Sequence, residues 1–250
     1  MPRYITLWLL SCLLVSATCY GQKKIVNQQQ IWYSYFNQAE FGSKWFLYSE
    51  LENRQFFKPS VENQLLIRAH LHYRVHKHWD VAAGFGYFLV CTQDPAKPSK
   101  LFNPELRPFI EANNNFSWGR LTLTNRLRAE ERFVHKVAAG ELADGYNTNS
   151  RFRYRLGLDF VLVKTKKQHI LKLRFNDEVM VNVPTKLVKN VFDQNRAYLG
   201  ISYTPPGPIT FEAGYMHWFQ QRASLTDYFD RSIFRFSITH KVKFPERKRG

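Results

Sequence analysis

Cysteine is nearly absent from this chain of 250 residues: it has three, and two of them, Cys12 and Cys19, stand close to the N-terminus. Beyond that stretch only Cys91 remains, which excludes an internal disulfide framework and a cysteine zinc cluster. Also missing there is any apolar run approaching the ~18 residues that mark a membrane-spanning helix. No G-x-S-x-G, H-E-x-x-H, phosphate-binding loop or dinucleotide fingerprint occurs, which removes the catalytic classes those spacings announce. Acidic residues are few: 20, against 36 lysines and arginines, for a formal charge of +16. Such a surplus ordinarily raises nucleic acid as a partner. For an exported chain no nucleic acid is expected, and anionic lipid head groups and lipopolysaccharide phosphates take its place.

Export is what the N-terminus predicts. Arg3 supplies a short positive region, Ile5 to Val15 an apolar core, and Cys19 and Gly21 small residues before a cut at Gln22. The predicted division is therefore a signal peptide over residues 1–21 and a single domain over 22–250.

What the chain has in abundance is alternation with period two, the repeat of a strand. Leu121, Leu123, Leu127 and Ala129 fall on one face of their segment, and Thr122, Thr124, Arg126, Arg128, Glu130 and Arg132 on the other. Phe152, Tyr154, Leu156, Leu158 and Phe160 stand against Arg151, Arg153, Arg155 and Asp159. Leu171, Leu173, Phe175 and Val179 oppose Lys172, Arg174, Asn176 and Glu178, and Leu65, Ile67, Leu71 and Tyr73 oppose Arg68, His70, His72 and Arg74. These segments hold about 10 to 13 residues, where ordinary strands hold about 5 or 6 and membrane-crossing strands about 9 to 11. Further segments of this kind are Gln28–Phe36, Lys44–Phe56, Trp79–Cys91, Glu105–Phe116, Asp193–Thr204, Ile209–Gln220 and Arg231–Phe244.

Short connections, near Lys77, Ser117–Gly119, Lys164–Gln168 and Pro205–Pro208, alternate with long polar ones at Thr92–Asn103, His135–Ser150, Val183–Phe192 and Arg222–Asp230. Short turns at one end and long loops at the other are the outer-membrane barrel pattern. Aromatics such as Tyr33, Trp45, Tyr73, Trp79, Phe85, Trp118, Tyr203 and Tyr215 suit interfacial girdles, and the last segment ends on Phe244. The predicted fold is thus all-β: an antiparallel transmembrane β-barrel in the outer membrane. Eleven segments are visible, but bacterial single-chain barrels have even strand numbers, so about 12 strands are expected, with 10 the alternative.

With the leucine face toward lipid, the opposite face points inward. It carries a lumen-lining ionic set: Glu50, Glu52, Arg54, Arg68, His70, His72, Arg74, Glu105, Arg107, Arg126, Arg128, Glu130, Arg132, Arg153, Arg155, Lys172, Arg174, Glu178, Arg196 and Glu212, with Glu111, Asp159 and Arg235 on the same parity. Ion pairs that fill the lumen and fix register are the expected role, and a site for an anion held by surplus arginines is the alternative. For catalysis, His70 and His72 stand beside Glu50 and Glu52, yet no serine has a nucleophile's context; Ser49 and Ser202 are single serines in strands. No catalytic residue, metal site or cofactor is expected: an i,i+2 histidine pair in a strand is ordinarily polar lining.

The order of short motifs resembles one family. It runs Gln30-x-Trp32, Lys44-Trp45, Glu50-x-x-x-Arg54, Tyr73-Arg74, Glu105-x-Arg107-Pro108, Arg126-x-Arg128-x-Glu130-x-Arg132, Arg151-x-Arg153-x-Arg155, Asn176-x-Glu178, Asp193–Arg196 and Glu212-x-Gly214-Tyr215. It is similar to exported proteins of Gram-negative bacteria that are grouped only as a domain of unknown function and regarded as outer-membrane barrels. The resemblance implies a barrel and an outer-membrane location, and it brings no activity. The functional expectation is a structural or narrow-pore barrel with a charged lumen, more a non-enzyme than an enzyme. The alternative is an outer-membrane enzyme or binding protein acting on lipid or lipopolysaccharide. Expected partners are outer-membrane lipid, lipopolysaccharide and, during biogenesis, the barrel-insertion machinery, with the protein itself a monomer.

Overall fold

The computed structural model describes residues 24–183, 190–222 and 224–245. The predicted signal peptide lies outside these residues, as do part of the connection after Val183 and the end of the C-terminal tail. Eleven strands form: β1 Ile25–Phe41, β2 Trp45–Phe56, β3 Val61–His76, β4 Trp79–Val90, β5 Asn103–Trp118, β6 Leu121–Ala138, β7 Glu141–Lys164, β8 Ile170–Val183, β9 Phe192–Thr204, β10 Ile209–Gln221 and β11 Tyr228–Phe244. Each pairs antiparallel with its neighbour in the chain, and β1 closes the barrel against β11. Among the described residues there is no helix, and so none long and apolar enough to cross a membrane; strands are outside that statement.

The strand number corrects the expected 12 or 10. An even count follows only when first and last strands close antiparallel, and here β1 and β11 run parallel, with Tyr33 opposite Phe236. The first strand consequently starts at the same end as β11, with Ile25 opposite Tyr228, whereas an antiparallel closing pair would start them at opposite ends. All eleven periodic segments of the sequence become strands, and no twelfth is needed.

At one end the connections are tight, over residues 42–44, 77–78, 119–120, 165–169 and 205–208. At the other they span 57–60, 91–102, 184–191 and 222–227. The expected loop His135–Ser150 is instead part of the ladder: β6 and β7 stay paired from Glu131 opposite Ser150 to Ala138 opposite Glu141, with a register shift at His135 and Lys136. Ala139 and Gly140 turn this arm at φ 52° and 83°. Two successive positive φ values make the hairpin turn whose twist matches its strands, and glycine takes the second at no steric cost. A polar composition hid this pairing from the sequence, because the arm has no buried face to impose alternation.

The wall is two-sided. Leu127 is 59% exposed on the outside, and its chain neighbour Arg128 is 2% exposed on the inside. Outward apolar residues continue through Ile110, Phe152, Leu199, Phe234 and Phe236. Near the short-turn end Phe41 stacks on Phe244 at 5.2 Å, Trp45 packs on Tyr73 at 4.7 Å and Phe116 stacks on Trp118 at 5.8 Å. Tyr33, Phe85 and Tyr215 sit halfway along their strands instead of in a girdle; alternation fixes the face of a residue but not its height. Outward polar groups bond one another: Tyr154 donates to Asn125 at 2.8 Å, and Asn195 to Asp177 at 2.8 Å.

The parallel closure predicts a crosslink. With Cys91 replaced by serine, the pair Tyr33→Cys and Phe236→Cys is expected to oxidise within one chain, read as a gel shift and confirmed by mass spectrometry. Formation of a displaced pair in its place, such as Tyr35→Cys with Phe236→Cys, would contradict the register.

Candidate functional site

The inward parity of eleven strands converges on one interior, and its charges are organised as chains of ion pairs. Arg151 on β7 reaches Asp193 on β9 at 2.7 Å and also binds Glu130 on β6. Arg153 joins Glu130 at 3.1 Å to Glu178 on β8, donating Nε and Nη2 to its two oxygens at 3.1 and 2.8 Å. Glu178 also accepts Arg126 at 2.6 Å. On β5, Glu105 takes both Arg107 at 2.7 and 2.8 Å and Arg132 at 2.6 Å. Across the barrel, Glu52 accepts Arg54 at 2.6 Å and the Ser34 hydroxyl at 2.7 Å, and Arg68 pairs with Glu50. Glu212 on β10 holds Arg174 at 2.5 Å, Arg235 at 2.6 Å and the Tyr198 hydroxyl at 2.7 Å. Bidentate and shared geometry makes these charge-assisted bonds strong, which a buried charge requires.

Toward the long-loop end the lumen is packed. Trp32, Tyr198, Met216, Trp218 and Ile233 form an apolar cluster, with Trp32 edge-on to Trp218 at 5.6 Å. Guanidiniums cover these rings: Arg54 lies 3.8 Å from Trp32, and Arg196 and Arg231 lie 4.3 and 4.4 Å from Trp218. Tyr198 fits because Gly200 and Gly214 leave its hydroxyl room that a Cβ would occupy. Above the cluster the fully buried Arg231 donates to Gln28 at 2.7 Å, Gln220 at 2.5 Å and Gln93 at 2.9 Å. Gln93 belongs to the connection between β4 and β5, so this loop crosses the mouth to β1 and β11.

Below the packed layer lies a cavity of about 330 Å³. Trp32, Arg54, Arg196 and Met216 line it on the packed side, and Gln38, Phe46, Asp159 and Thr239 near the short-turn end. Solvent enters from that end: the Arg174 side chain is 39% exposed and that of the deeper Arg153 is 6%. Eight arginines and six carboxylates line the cavity, leaving a cationic surplus.

Of the residues expected inside, Glu52, Arg54, Arg68, His70, His72, Glu105, Arg107, Arg128, Glu130, Arg153, Glu178 and Glu212 are buried. Glu50, Arg74, Arg126, Arg132, Arg155, Lys172, Arg174 and Arg196 are partly buried. Arg155 and Arg196 make no ion pair among the described residues, Arg196 donating to Gln194 at 2.9 Å, and two more stand apart from the network. Arg74 pairs with Glu40 at 3.0 Å near the short-turn rim, and Lys172 makes no ion pair among the described residues. The histidines do not join Glu50 and Glu52, as expected, because those carboxylates are held by Arg68 and Arg54. Instead His72 Nδ1 lies 2.6 Å from Asp80, and Glu111 lies 3.3 Å from His70 Nδ1. Ser49 takes the outward parity with Leu47 and Leu51 and cannot serve them. Asp80, Asp193 and Arg231 are network members absent from the expected ionic set; Asp80 and Arg231 share the inward parity of their strands, whereas Asp193 is the extra residue at a register shift of β9 and falls outside that alternation. Gln93 left no periodic signal at all, since it acts from a loop.

A family model described as protein of unknown function (DUF2490) matches residues 29–230. No curated protein and no solved structure matches the chain.

Arginines at two depths report how dry the interior is. Arg128, whose side chain and whose partner Glu111 are each 1% exposed, leaves an uncompensated buried charge when lost, so Arg128→Ala is expected to destabilise by about 3–5 kcal/mol in denaturant unfolding. Arg174→Ala, at the solvated end, is expected to cost under ~1 kcal/mol. Equal costs would mean that water fills the whole lumen.

Proposed function

The chain belongs to the DUF2490 family of proteins of unknown function, and from that premise we propose that it is a monomeric outer-membrane barrel of a Gram-negative cell that holds a filled, non-conducting lumen. The observation that carries this is the two-sided wall: apolar side chains exposed on every strand outside, paired charge inside. In water an apolar surface of that extent is an aggregation hazard; against lipid it is the solvated state. The closed ladder leaves no strand edge with unpaired backbone groups, which hydrocarbon forbids. Asn125, Asp177 and Asn195 on the outer wall are compatible with lipid because each is hydrogen-bonded on that surface.

The short turns face the periplasm in this scheme, as they do in outer-membrane barrels generally. Lys77, Arg120, Lys164, Lys166 and Lys167 then crown that end and meet the anionic head groups of the inner leaflet. The crossing of the long-loop mouth by Gln93, together with the tryptophan cluster beneath it, argues for a plug instead of a narrow pore.

One feature favours a second role, binding of an anionic group within the cavity. Arg155 stands opposite Arg126 in the ladder, makes no ion pair among the described residues, and is joined in the lining by Arg235, whose Nε, like that of Arg126, is buried without a partner. Among the described residues no serine lines the cavity, and the role these cations support is binding.

Substitution of Leu127, outward and mid-strand, by arginine tests the membrane location. A loss of about 2–4 kcal/mol in bilayer-reconstituted protein is expected, whereas a water-facing position would tolerate the change within ~0.5 kcal/mol. Planar-bilayer recording is expected to give no unitary conductance; steady ohmic channels would contradict the plug.

A further inference from the structure

We propose that His70, His72 and Glu111 form a site for one divalent transition-metal ion of the zinc class, set in the wall of the interior cavity. The three ligand atoms, His70 Nδ1, His72 Nε2 and Glu111 Oε1, all lie within 4.8 Å of one another, and all three residues are buried. The inference is independent of where in the cell the barrel sits.

The backbone brings them together through a gap. His70 and His72 are two residues apart on β3 and share the inward face, while Glu111 is on β5. The strand between them, β4, places Gly84 beside His70 and Ala82 between His72 and Glu111. Neither carries a side chain beyond Cβ, so the imidazoles and the carboxylate meet over β4. At Gly84 even a Cβ would strike the His70 side chain and stand 2.6 Å from the Phe109 ring.

Protons alone serve this cluster poorly. Asp80 lies 2.6 Å from His72 Nδ1, which assigns the ring proton to that nitrogen. The lone pair of Nε2 then faces His70 Nδ1 at 2.7 Å. Glu111 Oε1 aims at the same point, 3.3 Å from His70 Nδ1 and 3.6 Å from His72 Nε2. A single proton on His70 Nδ1 has to be divided between two acceptors, whereas one cation takes all three lone pairs. Ligands about 2.0–2.1 Å from a tetrahedral zinc stand about 3.4 Å apart. The two distances to Glu111 bracket that value, and the imidazoles need to part by about 0.7 Å to reach it.

The surrounding groups are those that hold metal ligands in place. Asp80 orients His72, Asn113 donates to Asp80 at 2.8 Å and to Glu111 Oε1 at 3.2 Å, and Arg128 grips Glu111 Oε2 at 2.8 and 2.7 Å, so that Oε1 keeps its second lone pair for the ion. The Arg128 charge opposes a cation, but its bidentate partner Glu111 balances it, so the charge of Asp80 remains for the ion. His70, His72, Glu111 and Asn113 all line the cavity, which gives a fourth coordination position to water. Borderline-soft nitrogen ligands with one carboxylate favour zinc, cobalt, nickel or iron(II) over calcium and magnesium.

The test uses untagged, detergent-purified protein stripped with a chelator, then titrated with Co²⁺ by visible absorption and with Zn²⁺ by calorimetry. One equivalent is expected to bind, with the intense cobalt bands of a four- or five-coordinate site. His70→Ala with His72→Ala is expected to abolish binding. His76→Ala with His78→Ala, a rim pair with rings 5.9 Å apart, is expected to leave it intact. Asp80→Asn should weaken binding 10–100-fold by releasing the His72 tautomer. Heat-dependent gel mobility reports whether each variant is folded. If the double alanine variant does not fold, Glu111→Gln and Asp80→Asn decide, and unchanged affinity in both overturns the site. So does the absence of stoichiometric binding by the wild type, or its loss on removal of His76 and His78.

Discussion

A closed wall of alternating side chains leaves its inward charges nowhere to go, and that confinement governs the rest of the structure. Several carboxylates of the interior are shared: Glu130 between Arg151 and Arg153, Glu178 between Arg153 and Arg126, Glu105 between Arg107 and Arg132. Except for Arg107, which shares β5 with Glu105, these arginines come from other strands than their carboxylates, so the same bonds that neutralise charge also fix strand register. A slip of one residue would carry every arginine to the outer face. The glycines and alanines of the inward parity follow from the same constraint. Where a long side chain lies along the inner wall, as Tyr198 does, its own strand and the next give up their side chains at Gly200 and Gly214.

Filling is uneven along the axis, and the unevenness is what makes a site. At the long-loop end guanidiniums lie over indole and phenyl rings, and the Gln93 loop reaches across to Arg231 and Gln28. At the short-turn end the cavity opens, water enters and the arginines outnumber the carboxylates. The packed end and the cavity are therefore complementary, with apolar and cation-covered rings on one side and accessible polar groups on the other. The His70, His72 and Glu111 cluster lies in the accessible part, with Arg128 and Asp80 behind it.

Much of the fold was legible in the sequence, because strands with one oily and one ionic face cannot hide their period. Every segment read from alternation became a strand, and the parity of Arg126, Arg153 and Glu178 gave their side of the wall. Strand number was missed through a rule about closing pairs that this chain does not obey. The arm at the tip of β6 and β7 was missed because both its faces are solvated. Within the interior, parity named most of the charged residues but not their partners. Pairing depends on rotamers and on the stagger between strands, so His70 and His72 were placed with Glu50 and Glu52 when their true neighbours are Asp80 and Glu111. Arg231 was readable from its strand, whereas Asp193 and Gln93 were not, since a residue at a register shift breaks the period and a loop residue carries none.

The central claim is that oil surrounds this wall and ions fill it. Spin labels placed singly at Leu127, Phe152 and Leu199 in bilayer-reconstituted protein measure it most directly, through collision with oxygen, which dissolves in lipid, and with a water-soluble nickel chelate. All three labels are predicted to meet oxygen far more often than nickel, while a label at Ala139 on the arm shows the reverse. Labels at the three wall positions that collide freely with nickel would mean that the leucine face meets water, and the account would fall.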